Sequence, residues 1–185
     1  MGVLRRGGIA LAVALTLVSI RATHLEAQQA SAPQLIAAFL LNFVKFTTWP
    51  DASLPAGARI VVCVLADDRG ADALTQITIG KSVGGHPVEV RGTARRSLPG
   101  ECQVMYASGL DRRRARQLIH ATSGLPILTV GASSNFAEQG GVANFFVDGG
   151  RMRFAVNTRA ADRAQLQISS KLLSLARIVR YDPPS

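Results

Sequence analysis

Once an N-terminal leader is set aside, the 185 residues leave one domain's worth of chain, enough to bury a core without a metal or several disulfides. The formal charge of +9, carried mostly by arginine, suits an anionic membrane, an acidic partner or a nucleotide. Export argues against nucleic acid as that partner.

Arg5 and Arg6 open the leader. Residues 8–20 then run almost without polar side chains. That suits a signal-peptide core and is too short for a spanning helix, which needs about 20 residues. Ala27 offers a cleavage point before Gln28, with Ala22 and Ala30 as rivals; an uncleaved anchor is the alternative. The Arg5–Arg6 pair lacks the rest of a twin-arginine motif. We therefore expect a signal peptide over 1–27 and one α/β domain over 28–185. Cleavage removes three arginines and one glutamate and leaves +7. No second long apolar run follows, so the mature protein is not expected to span a membrane.

Residues 31–46 predict the first helix, with Ser31 as cap and Pro33 tolerated in its first turn. Leu35, Phe39 and Phe43 form one row and Ile36, Leu40 and Val44 the next, a stripe suited to packing on a sheet. Pro50 stops the helix near Trp49. Residues 59–65 are apolar and β-branched without alternation, as in a strand covered on both faces. A short helix follows over 71–77. Residues 87–93 alternate and suit an edge strand, and 103–106 form another strand. Asp111 caps a helix to Thr122. Its Arg112, Arg113, Arg114 and Arg116 fan around one turn, more simply a solvated face than a binding site.

Residues 126–130 predict a buried strand that Gly131 ends. Residues 134–139 form a helical turn broken by Gly140–Gly141. A hairpin follows, 142–147 and 152–156, around Asp148–Gly149–Gly150. Asn157 caps a helix from Thr158. Residues 165–180 are expected to continue as a final helix with Leu172, Leu175 and Ile178 inward. Residues 182–185 read as a loose tail. The fold class is a single-domain, mixed, mostly parallel sheet flanked by helices on both faces, ending in a hairpin and a helix.

Cys63 and Cys102 are the only cysteines. In an oxidising compartment an even pair reads as a disulfide. Two separate thiols, with Cys63 filling a strand position, are the alternative. No catalytic grouping emerges. His24 lies in the leader, and His86 and His120 sit on different elements. No Cys/His/Asp cluster has metal-ligand spacing, no serine sits in a nucleophile elbow, and the paired glycines fall at turns. Neither an enzyme nor a cofactor is expected.

Three stretches carry a family resemblance. They are Leu-Asn-Phe-Val-Lys-Phe-Thr-Thr-Trp-Pro at 41–50, Asn-Phe-Phe-Val at 144–147 running on to Arg-Phe-Ala-Val-Asn at 153–157, and Leu-Gln-Ile-Ser-Ser-Lys-Leu-Leu-Ser-Leu-Ala at 166–176. In order and spacing the chain resembles the YfiR-like family over roughly residues 33–180. The resemblance implies a periplasmic regulator that binds the extracytoplasmic sensor domain of an inner-membrane diguanylate cyclase and lowers cyclic di-GMP, a signal that favours biofilm. It also supports the Cys63–Cys102 pair. Some members carry a second cysteine pair near residues 136–144, which this chain lacks.

The matching stretches place Asn42, Lys45, Trp49, Phe145, Phe146, Arg153, Asn157 and Lys171 as candidates for a partner or ligand surface. Structural roles compete for several. Asn157 suits a helix cap, Trp49 a core plug, and Lys45 and Lys171 stems laid over the core. Phe145 and Phe146 must point to opposite faces of their strand. A second copy of the chain is a further candidate partner. The alternative function is a periplasmic module for a small anionic ligand, without a cyclase partner.

Overall fold

Val62 and Cys63 are neighbours on one interior strand of the sheet, and they point into hydrophobic clusters on its opposite faces. The computed structural model describes residues 32–65, 68–92 and 99–181. The expected leader over 1–27, Ser31 as a helix cap and the tail over 182–185 lie outside those residues.

In chain order the elements are α1 (Ala32–Lys45), β1 (Thr47–Thr48), β2 (Ile60–Leu65), α2 (Asp68–Thr78), β3 (Ser82–Val83) and β4 (His86–Arg91). A 3-10 turn (Pro99–Glu101) leads to β5 (Val104–Ala107), α3 (Arg112–Thr122) and β6 (Leu128–Gly131). A second 3-10 turn (Ala137–Gln139) precedes β7 (Ala143–Asp148), β8 (Arg151–Asn157) and α4 (Thr158–Arg163). The chain closes with β9 (Gln167–Ile168), α5 (Ser170–Leu173) and β10 (Arg177–Val179).

Eight strands form one sheet in the order β10-β8-β7-β6-β5-β2-β4-β3. Only the β7–β8 hairpin and the short β3–β4 pair are antiparallel among these strands. The expected mixed, mostly parallel class holds. β2 pairs with β4 and β5 on its two sides, and Ile60 to Val64 are all buried, as unbroken apolarity requires of a doubly covered strand. β4 is an edge strand for most of its length, since β3 meets it only at Ser82 and Val83.

Helix α1 covers one face. Ala37, Leu40, Phe43 and Val44 join Val62, Val64, Val104, Tyr106, Leu128, Val130, Phe145 and Phe154 in the main core. Leu35, expected in the buried stripe, is 38% exposed, although Phe39 and Phe43 in the same row pack into the core. Phe43 is fully buried and meets Phe145 and Phe154 edge to face at 5.7 and 5.2 Å. Truncating a Phe so placed costs about 3–5 kcal/mol. On the other face Val61, Cys63, Met105 and Ile127 cluster with Leu118 of α3.

The disulfide expectation holds. Cys63 on β2 and Cys102, just before the neighbouring β5, are bonded with their Cα atoms 6.0 Å apart. Parallel pairing of β2 with β5 brings the two within bridging distance.

Local signals placed several ends correctly. Asp111 caps α3 by accepting from the Arg114 amide at 2.8 Å. That hydrogen bond, with the Arg114 charge beside it, holds the Asp111 carboxyl below its ordinary range. Arg112, Arg113, Arg114 and Arg116 are all exposed, as a solvated face would be. The hairpin turns at Gly149–Gly150, whose φ values of 55° and 73° fit a two-residue primed turn.

The long C-terminal helix expected over 165–180 does not form. Gln165 adopts a φ of 55°, Gln167–Ile168 pairs with Thr47–Thr48, and only the four residues Ser170–Leu173 are helical. Arg177–Val179 instead adds a parallel strand beside β8. The open side of β8 offers unpaired backbone groups, and β-branched Ile178 and Val179 suit the ladder. Leu172 is buried as expected; Leu175 is 73% and Ile178 42% exposed.

Candidate functional site

Strand alternation sorts the hairpin into two faces. Phe145 and Phe154 are opposed across the strands and point toward α1; Phe146 and Arg153 are opposed one step along and point away from it. Phe145 is buried, with its ring 5.7 Å from Phe39 and 6.2 Å from Tyr106. Phe146 is half-buried, and what covers it is the guanidinium of Arg177, 4.3 Å above the ring. A cation so placed is worth about 0.5–1 kcal/mol at a partly exposed site.

Arg177 is itself held. Its Nη2 donates to Glu138 Oε1 at 2.8 Å. Arg153 pairs with Asp148 at 3.3 Å within the hairpin. Both arginines thus have an acid behind them and an apolar surface beside them. A groove of about 570 Å³ runs between the hairpin and the α5–β10 connection, lined by Phe146, Arg153, Arg177, Val147 and Leu175 among others. Val147 and Leu175 are 70% and 73% exposed. Large apolar side chains bared together beside charged ones mark an interaction surface more often than single exposed residues do.

The turn bearing Glu138 is fixed by two asparagines. Asn144 Oδ1 accepts from the Ala137 amide at 3.0 Å, and its Nδ2 donates to Ser134 O at 3.1 Å. Asn157 Nδ2 donates to Ala137 O at 3.0 Å and Tyr181 O at 2.9 Å. The Asn157 Oδ1 caps α4 by accepting from the Ala160 amide at 3.2 Å. Both side chains are fully buried. Phe136 precedes this turn and fits against Gly131 and Gly141, where a Cβ on either glycine would strike its ring.

Of the residues singled out from sequence, the structure brings Phe146 and Arg153 together in this groove. Asn157 lies behind it as a buried cap. Trp49 is buried, and its indole Nε1–H donates to Gln103 O at 3.2 Å. Phe145 is core. Asn42 and Lys45 are exposed on α1, the helix on the opposite face of the sheet, and Lys171 is exposed on α5. Those three do not line the groove. Arg177, Leu175, Val147 and Glu138 were missed. The expected helix over 165–180 includes Leu175 and Arg177, and nothing local in the sequence pairs residue 177 with residue 146. Among the described residues no group of three His, Cys, Asp or Glu side chains could hold a metal ion. No helix among them is long and apolar enough to cross a membrane.

The sequence profile of the YfiR/HmsC-like family matches residues 33–177. Among solved structures, a conserved domain protein from Vibrio cholerae O1 biovar El Tor strain N16961 superposes with a TM-score of 0.51 at 14% identity, covering 77% of this chain and 59% of that one. The likeness speaks for a shared fold, and the chain spans less than two thirds of that protein. The ABC domain in complex with L-Trp from Streptococcus pneumoniae superposes with a TM-score of 0.46 at 11% identity, covering 65% of this chain and 56% of that one.

Proposed function

This chain belongs to the YfiR/HmsC-like family, and we propose that it is a periplasmic negative regulator that binds the extracytoplasmic sensor domain of an inner-membrane diguanylate cyclase. The leader over 1–27 would carry it across the membrane and be removed near Gln28. The Cys63–Cys102 bond fits an oxidising compartment.

The observation that carries the partner reading is the groove in which Arg177 roofs Phe146 beside exposed Val147 and Leu175. Aromatic and arginine anchors of this kind dominate protein interfaces. The mechanism needs no bond to be made or broken. A regulator that binds the inactive cyclase more tightly than the active one shifts the population toward it. Moving that equilibrium from 1:99 to 99:1 takes a preference of about 10⁴, or about 5.5 kcal/mol. A few well-placed anchors can supply that.

The test is genetic and biochemical. Deleting the gene should raise cyclic di-GMP, and the mature protein used as bait should retain a membrane cyclase with a periplasmic sensor domain. Unchanged cyclic di-GMP under every envelope condition tried would sink this reading.

A further inference from the structure

A second cavity, of about 910 Å³, opens between α3, α4 and the starts of β6 and β7. It shares no lining residue with the groove around Phe146. Its volume lies in the range that holds small organic molecules. The floor is apolar: Ile127 and Val142, each just before its strand, with Ala160 of α4 and Ala164 at that helix's C-terminal cap, all buried. The rim is basic. Arg116 and His120 stand one helical turn apart on α3, so both reach the opening. Arg163, half-buried, lines it from α4. No Asp or Glu lines it among the described residues. A site with cations at its rim, no acid and an apolar floor selects an anion that carries a hydrophobic body.

We propose that this cavity binds a small organic acid, its carboxylate held by Arg116 and Arg163 and its apolar body seated on Ile127, Val142 and Ala160. A guanidinium takes a carboxylate through two parallel hydrogen bonds with charge behind them. The uncharged amide of the same acid loses the charge and one acceptor, and the corresponding amine meets like charge. Discrimination by head group is therefore the signature of this site. The inference does not depend on the cyclase reading.

Isothermal titration of the mature protein with 3-phenylpropionate, indole-3-acetate and octanoate, each beside its amide and amine, tests it. At least one acid should bind with a Kd below about 1 mM, at least about tenfold tighter than its amide. R116Q and R163Q should each lose about tenfold for the acid, with melting unchanged for R116Q, an exposed position. Should R163Q fail to fold, R116Q carries the test alone. Acids that bind no better than their amides, or that bind R116Q as they bind wild type, overturn the proposal. So does binding that appears only after residues 182–185 are removed, which would make the cavity the seat of the chain's own tail.

Discussion

Asn144 and Asn157, on neighbouring strands of the hairpin, grip the same residue from both sides: one accepts from the amide of Ala137 and the other donates to its carbonyl, each at 3.0 Å. Neither strand alone could hold the turn. Together they set Ala137–Gln139 against the sheet and place Glu138 where it reaches Arg177.

Asn144→Ala and Asn157→Ala should each destabilise the protein by about 1–3 kcal/mol, because each leaves buried backbone groups without partners. In a domain of this size that is a fall of roughly 3–9 °C in Tm. Thermal unfolding followed by circular dichroism checks it. A Tm within about 1 °C of wild type for either variant would show that the clamp contributes little.

Phe145 and Phe146 should separate in their effects although they are neighbours in sequence. Phe145→Ala should cost about 3–5 kcal/mol of stability, measured by denaturant titration. Phe146→Ala should leave stability close to wild type. If the groove is the cyclase-binding surface, it should weaken that interaction by about 2 kcal/mol, roughly thirtyfold. Cyclic di-GMP and Tm measured together for both variants distinguish them, and Arg177→Ala should behave like Phe146→Ala.

Gly131→Ala and Gly141→Ala should each destabilise, since the new methyl meets the ring of Phe136. Overpacking of this kind costs about 1–3 kcal/mol. The same glycine changes made in a Phe136→Ala background should add far less, and a double-mutant cycle reads the coupling directly. Additive effects would mean that the ring is not what excludes the methyl.

Serine at both Cys63 and Cys102 should lower stability by about 4 kcal/mol in the chain-entropy account of a loop this long. Denaturant titration of the oxidised protein, the reduced protein and the double variant measures it. Reduction that leaves the midpoint unchanged would show that the bond is not a stabiliser.

Glu89 titrates below the ordinary glutamate range because Arg91 hydrogen-bonds to it at 2.8 Å, with Arg59 adding to the effect. A depressed carboxyl contributes stability above its unfolded pKa and loses that contribution as the pH falls through its folded pKa. Glu89→Gln should therefore flatten part of the acid limb of the stability curve below the ordinary glutamate range. The change should be at most about 1 kcal/mol, since the group is only partly buried. A limb of unchanged slope would assign acid sensitivity elsewhere.

By itself the sequence determined whatever rests on neighbours along the chain. Unbroken apolar β-branched residues from Ile60 to Val64 need two covered faces, Asp111 and Asn157 offer oxygens to the amides three residues on, and Gly149–Gly150 supports positive φ at a tight turn. The alternation that sends Phe145 and Phe146 to opposite faces is equally local, so one of the two could be assigned to the core before any fold was known. Only the tertiary structure decided which one, because α1 covers a single face of the hairpin. The C-terminal segment went the other way from its local signals. Residues 165–180 carry helical spacing, yet the open side of β8 accepts Arg177–Val179 as a strand, and backbone pairing with an existing edge outweighs a weak propensity. That pairing also delivers Arg177 to Phe146, 31 residues away along the chain, and with it the groove. The fit of Phe136 against two glycines was hidden for the same reason: a glycine kept for close approach looks in sequence like one kept for a turn.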